Sequence, residues 1–535
     1  MNNILTYDRL KISCPYPLQY ITQLEISSRL NEHSRILVTG VLREEEQDQC
    51  IRTATAQDAI QVYETGAGTA NGKDALIFAG IVTHLSVNVA AGVYTIEIEG
   101  LSYTHLLDIE VKSRSFQDEN AGYAAVIAQI LSDYDDASFI QIPDDRPTGG
   151  LLVQYQETDW EFIRRLATHF NTLLIPQDLG TGPRFWLGVR QNTKDIALEH
   201  EANVRVKTDE DGYYKASAQG FNVRRAYFVK YGLESGTRLI LGERLTFQGK
   251  PCIVERADAS FSKGLFRYQY LLGQEGSLLQ AKRHNPQLQG VSLLGSVLDT
   301  RDSAVQLHLR LDAEQKNDPA CWLPYAPPSN NLFYCMPETG ENASLYFPTA
   351  DEKSAIVINS VRRNGGSCSK TSKPDTKYLS IPSGQEIKLS KKDVAFSHNE
   401  GVSITLDAAQ GILVHSREDL TILSQRSLTL EAKEKIKMSA NTGDIIIGSG
   451  ANASLSQLLL MSGVNGDTHI YAANKLLEDG RYRERFPDRL NQAIVYKEKA
   501  EEKFSWLQLA ACVVAAVAVV ALVVVTAGAA AVVLG

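Results

Sequence analysis

Residues 404–451 read ITLDAAQG, ILVHSRED, LTILSQRS, LTLEAKEK, IKMSANTG and DIIIGSGA, six consecutive octads that start at Ile404, Ile412, Leu420, Leu428, Ile436 and Asp444. Five of the six first positions are apolar, and the third positions are Leu406, Val414, Ile422, Leu430, Met438 and Ile446. The fifth positions are all small: Ala408, Ser416, Ser424, Ala432, Ala440 and Gly448. A fixed period of this kind is a repeat architecture. Positions one, three and five of each octad share one face of a strand, and positions six to eight form a polar corner.

One octad covers only one side of a prism. A single-chain β-helix needs roughly three octads per coil, so six would close only about two coils. Three chains that each supply one side at every level solve this, and the side chains shrinking from position one to five suit a tapered core. The pattern therefore predicts a triple-stranded β-helix needle, an obligate homotrimer. Its core is Ile404, Leu406, Ile412, Val414, Leu420, Ile422, Leu428, Leu430, Ile436, Met438 and Ile446. At about 4.8 Å per stacked strand the octads extend roughly 30 Å. Their large apolar side chains give on the order of 20 kcal/mol of gross burial, an upper bound. The alternative is a run of antiparallel hairpins, which favour Asn-Gly or Asp-Gly turns that this stretch lacks. The last octad is ragged: Asp444 replaces the apolar first residue, and Ile445 and Ile447 point outward.

The 535 residues imply several domains. A net charge of −9 gives no basic field for nucleic acid. The seven cysteines (Cys14, Cys50, Cys252, Cys321, Cys335, Cys368 and Cys512) are scattered without a CxxC pair, as in a reduced cytosolic assembly. The amino terminus has no basic-then-apolar leader. At the other end, residues 509–535 contain no charge. As a helix they would be about 40 Å long, more than one hydrocarbon core. Trp506 precedes them where an interfacial anchor would sit. The reading is a membrane-inserting segment, with a buried core helix as the alternative. Because the apolar run has no polar flank after it, Gly535 is expected to be a truncation point in a longer product.

Residues 1–290 read as mixed β with a few helices. Strands alternate at Tyr94–Glu99 and Ile36–Leu42. A helix is signalled by the capping box Thr158/Glu161 and the apolar stripe Trp160, Ile163, Leu166, Ala167 and Phe170. A second helix is predicted over Gly122–Leu131. Residues 291–365 read as five short strands, Val291–Leu298, Ala304–Leu311, Cys321–Tyr325, Ala343–Phe347 and Ala355–Val361, punctuated by Pro and Gly, which suits an OB-type barrel. Residues 366–403 are a linker and lead-in, 404–451 the octads, and 452–535 a carboxy-terminal extension. The fold class is thus mostly β: β-rich hub domains, a five-stranded barrel, a trimeric β-helix needle and an apolar helical segment.

This order resembles the spike proteins of contractile injection systems, the valine-glycine repeat protein G family of type VI secretion and the late control protein D family of phage tails. Tyr155-Gln156-Glu157-Thr158-Asp159-Trp160-Glu161-Phe162-Ile163-Arg164-Arg165-Leu166 is similar to that family's hub helix-start motif. Met336–Phe347 is similar to its barrel signature, and Cys321-Trp322-Leu323-Pro324-Tyr325 to the strand before it. The resemblance covers roughly residues 1–450. It implies a trimeric hub that caps a tail tube, a barrel collar and a puncturing needle. It also implies partners among tail-tube and baseplate proteins, a tip protein, an effector or chaperone, and a target membrane. Assembly would be cytoplasmic, followed by export into a target envelope. The chain departs from cell-puncturing phage spikes in having no room between Gly365 and Lys377 for a lysozyme domain.

No catalytic, cofactor or metal site is expected. His308 and His415 form no HxH or HxxxH pair. His84 and His105 could neighbour one another on strands. The pairs Asp135-Asp136 and Asp144-Asp145 read as turn chemistry, and Asp351-Glu352-Lys353 as a solvated turn. Ser292 and Ser383-Gly384 lack a nucleophile-elbow context. The competing reading is a trimeric tail fibre or adhesin, which would need neither the hub helix nor the barrel.

Overall fold

The computed structural model describes residues 9–440 except 44–51, 53, 56, 66–73, 191–192, 195–203, 263, 316–317, 328–334, 362–369, 371–372, 382 and 400. Two compact units result, Met1–Gly365 and Gly366–Gly535. The sixth octad with Ile446, and Trp506 with the apolar run 509–535, lie outside the described residues. Among the described residues no helix is long and apolar enough to cross a membrane.

The first unit is built on a 12-stranded sheet. Its centre runs Ala75–Ala90, Val93–Ser102, Arg35–Val41, Tyr20–Arg29, Lys250–Ser262 and Leu265–Gly273, each antiparallel to the next. The alternation seen at Ile36–Leu42 and Tyr94–Glu99 sets the inner face. Ile36, Val38, Ile96 and Ile98 are fully buried with Leu24 and Ile60, while their strand neighbours point outward. Gly80 permits a close approach here: a Cβ at this position would lie 2.2 Å from the Leu101 carbonyl oxygen, so any side chain would have to push the paired strands apart.

A smaller α/β lobe is inserted after Ser102. Helix α1 (Tyr123–Leu131) and helix α2 (Asp159–Thr168) pack with the strands Ser138–Gln141, Arg184–Leu187 and Leu174–Pro176. Both helices were legible in the sequence. At α2, Thr158 accepts a hydrogen bond from the Glu161 N–H, and the Glu161 carboxylate accepts one from the Thr158 N–H. This reciprocal cap fixes where the preceding strand Leu152–Thr158 turns into helix. The stripe Trp160, Ile163, Leu166 and Ala167 is buried against Phe185 and Ile127.

Ser292–Arg301, Ala304–Leu309, Leu323–Ala326, Ile356–Val361 and Asn342–Tyr346 close into a barrel in that order. The five-stranded barrel is therefore present, with Cys321 and Trp322 just ahead of its third strand rather than in it. Closure leaves no open edge. Val297, Val305, Leu307, Leu345 and Val357 fill the interior, and Val153 from the strand before α2, with Leu151 just ahead of that strand, joins the same core. Barrel and hub lobe thus share one apolar cluster, which sets the position of α2 over the barrel.

The second unit is one antiparallel sheet of Lys377–Ser380, Glu386–Leu389, Asp393–His398, Val402–Asp407 and Gly411–His415. The first two octads pair with each other as a hairpin, the alternative that lacked an Asn-Gly or Asp-Gly signal. The turn uses different chemistry. The Asp407 carboxylate accepts the N–H groups of Ala409 and Gln410, both at 2.8 Å, and Gly411 takes a φ of 87°, so an Asp cap and a left-handed Gly close a longer loop. From Ser416 to Ala440 the described chain contains no strand.

Candidate functional site

Two features outside ordinary core packing stand out: a charged clamp between α2 and the barrel, and an apolar face in the second unit that no described residue covers.

The clamp begins with Arg165, on the last turn of α2 and 5% exposed. Its Nε and Nη2 both donate to the Glu157 carboxylate at 2.9 Å. Nη2 also donates to the Val153 carbonyl at 2.7 Å, and Nη1 to Glu352 Oε1 at 2.6 Å. Burial alone would weaken the guanidinium, but the two carboxylates outweigh it and raise its pKa further. Glu352 opens a 3-10 turn in the barrel and is 4% exposed. The expected solvated turn at Asp351-Glu352-Lys353 is therefore corrected: its middle residue is buried because Arg165 supplies a charge for it to meet. At the other end of the helix, buried Asp159 accepts from Lys112 Nζ (3.0 Å), Tyr134 Oη (2.7 Å), Gln154 Nε2 (2.9 Å) and Arg114. The hub motif is thus an anchored helix, charged at both ends.

The histidines separate. His105 lies in the 3-10 helix Tyr103–Asp108, and His84 lies on Ala75–Ala90 opposite Glu99, so the two are not neighbours on strands. His105 instead meets His33 edge-on at 5.5 Å, and burial followed by the repulsion of His33 lowers its pKa. His33 bridges Thr104 (2.8 Å) and Asp108 (3.1 Å) beneath Trp160. His308 bonds the Asp312 carbonyl and His415 the Gly401 carbonyl. Asp136 accepts from Thr181 and, through both carboxylate oxygens, from Arg184, while Asp145 accepts from the Ala124 N–H at the start of α1. Among the described residues one group has metal-ligand character, His284, Asp351 and Glu352, whose donor atoms all lie within 4.8 Å of one another. No local spacing announces it.

The apolar face follows from register. Directly paired residues of an antiparallel sheet share a face. One row across all five strands is Leu379, Ile387, Phe396, Ile404 and Val414; the next carries Leu389, Val394, Leu406 and Ile412. The opposite face carries Tyr378, Lys388, Ala395, Thr405 and Leu413 in one row and the polar Ser380, Glu386, Ser397, Ser403 and His415 in the next. Among the described residues of this unit, none covers the apolar rows. Beyond the hairpin, Leu420, Ile422, Leu428, Leu430, Ile436 and Met438 are 51–62% exposed. Among the described residues, a single sheet with one bare apolar face and a following bare apolar stripe buries too little surface to stand alone. Ten of the eleven residues assigned to the trimer core are described, and all ten are exposed in one chain.

Residues 39–170 match the phage tail baseplate hub (GPD) family. The matched segment runs from the inner strands of the large sheet through α2, so it includes the anchored helix and its capping box. The likeness to injection-system spikes read from the sequence is therefore found independently in the hub region. No curated protein matches the chain. Three solved structures are similar at low identity. The Escherichia coli c3393 protein, described as a type VI secretion component similar to T4 tail proteins gp27 and gp5, is 14% identical, with 66% of this chain and 100% of that chain covered and a TM-score of 0.47. The half-lidded Francisella PdpA-VgrG complex is 8% identical over 76% of this chain and 87% of that chain, TM-score 0.47. The prophage MuSo2 43 kDa tail protein of Shewanella oneidensis is 10% identical over 51% and 99%, TM-score 0.39. The barrel and the apolar face lie outside the hub segment.

Proposed function

We infer that this chain is the homotrimeric hub-spike of a contractile injection system, of the type VI or phage-tail kind. The observation that carries this is the order of parts: a segment matching the phage tail baseplate hub family, a closed barrel further along the chain, then a sheet and stripe whose apolar face has no cover among the described residues. The occupant of that face is two further copies of the same chain. Each copy brings the same apolar rows, and three-fold closure buries all of them about one axis. The hub caps the tail tube, the barrel forms the collar, and the octads form the puncturing shaft. The chain acts mechanically and not as an enzyme. It is assembled in the cytoplasm with tube and baseplate proteins and then driven into a target envelope. Residues 452–535 are a carboxy-terminal extension that carries or constitutes an effector, with 509–535 entering the membrane.

A trimeric fibre or adhesin shares the exposed apolar rows but has no use for a hub segment. Deletion of the gene in the producing bacterium separates the two. A hub-spike is required for tube assembly, so contractile tubes should disappear and return on complementation. Normal tubes lacking only host attachment would overturn the hub-spike reading.

A further inference from the structure

The turn that binds Arg165 holds a second feature. His284 lies in the connection between the last hub strand, Leu265–Gly273, and the first barrel strand. Its Nδ1 is buried and makes no hydrogen bond. That nitrogen stands 3.5 Å from Glu352 Oε2 and 3.6 Å from Asp351 Oδ1. Glu352 is held from behind: Arg165 donates to Oε1, which leaves Oε2 turned toward the histidine. Asp351 is fixed by accepting the Lys353 N–H through Oδ1 at 3.1 Å.

Three considerations point the same way. The first is spacing. Zinc bonds to His nitrogen and carboxylate oxygen are about 2.1 Å long, which puts two tetrahedral ligand atoms about 3.4 Å apart. The two His–carboxylate separations here are close to that, and too long for direct hydrogen bonds. The second is charge: two carboxylates, Asp351 and Glu352, converge on the His284 nitrogen, and a divalent cation placed between them meets both. The third is support. A metal-binding carboxylate is ordinarily held by an outer hydrogen bond, as Arg165 holds Glu352.

We propose that His284, Asp351 and Glu352 form a divalent-metal site of the zinc type, with one position left for water, that staples the hub-to-barrel connection to the barrel turn. Its ligands come from two segments far apart in sequence, so binding ties the connection down; on the proposed spike role, thrust passes between hub and barrel at this point. A mixed nitrogen and oxygen donor set selects zinc, or cobalt as its spectroscopic substitute, over calcium or magnesium.

The test uses the full chain in detergent, stripped with a chelator and then given zinc chloride, with bound metal counted after gel filtration and thermal midpoint measured in parallel. Wild type should hold one zinc per chain above the level retained by His284→Ala and Asp351→Asn, and should gain thermal stability that neither variant gains. Asp351 is partly exposed, so its variant guards against a folding artefact at His284. Cobalt should give a visible spectrum lacking the thiolate charge-transfer band that cysteine binding would produce. Equal zinc uptake by wild type and both variants, or a cobalt spectrum with that band, would overturn the site. So would a stability that follows pH but ignores zinc, which would assign the pocket to a protonated His284.

Discussion

Replacing Arg165 with Met tests whether the clamp joins hub and barrel energetically. The substitution keeps an unbranched stem that reaches about as far as Nε and removes the guanidinium. Glu157 and Glu352, 12% and 3% exposed, then lose their shared cation, and the Val153 carbonyl loses a donor. Removing one partner of a buried ion pair costs roughly 3–5 kcal/mol, because the charge left behind is uncompensated. Glu352→Gln keeps a hydrogen-bond acceptor for Arg165 and should cost less, about 1–3 kcal/mol. The double change Arg165→Met with Glu352→Leu removes a charge from each side. Its cost should fall short of the sum of Arg165→Met and Glu352→Leu measured separately by at least about 1 kcal/mol, the range seen for directly coupled residues. Urea unfolding followed by tryptophan fluorescence reports this, since buried Trp160 lies on the same helix. An Arg165→Met cost below about 1 kcal/mol, or strict additivity in the double variant, would refute the clamp.

His169 gives a pH-dependence of known sign. Burial, followed by the nearby positive charges of Lys282 and Arg165, lowers its pKa from 6.5 to about 3. The unfolded chain therefore binds a proton between those values that the folded chain does not, so stability falls as pH drops below about 6.5. Between pH 7.5 and 5.5 this one group should cost about 1.4 kcal/mol, and His169→Phe should remove that slope; an unchanged slope would contradict the assignment. Along the octads, Ile422→Asp should block trimer assembly, because it places three carboxylates near one axis. Leu423→Asp, one residue on and 89% exposed, should be tolerated. Equal behaviour of the two would mean the inward face is wrongly assigned.

What the sequence reveals here is mostly local. The box Thr158/Glu161 and the stripe behind it place α2 because a cap and a period are properties of neighbouring residues. The barrel strands are legible because Pro and Gly break an otherwise alternating pattern. The octads show which face is apolar, since alternation alone sets that, but not what each strand pairs with. Ile404 pairs with Val414 in a hairpin because Asp407 can cap a turn without an Asn-Gly signal. The lead-in also carries more than expected: Leu379, Ile387 and Phe396 extend the apolar row, which becomes visible only through register. The clamp and the His284 group were hidden for a different reason. Arg165 meets Glu352 across 187 positions of sequence, and Glu352 reads as a surface residue until the barrel closes and brings α2 over it.

On the proposed function, the apolar rows belong to a three-fold core. Native mass spectrometry of the full chain, released from detergent without denaturant, tests it most directly. An assembly of three chains with no appreciable monomer is expected, because the described part of one chain leaves Ile404, Leu406, Ile412 and Val414 exposed. A predominantly monomeric or dimeric chain would contradict it.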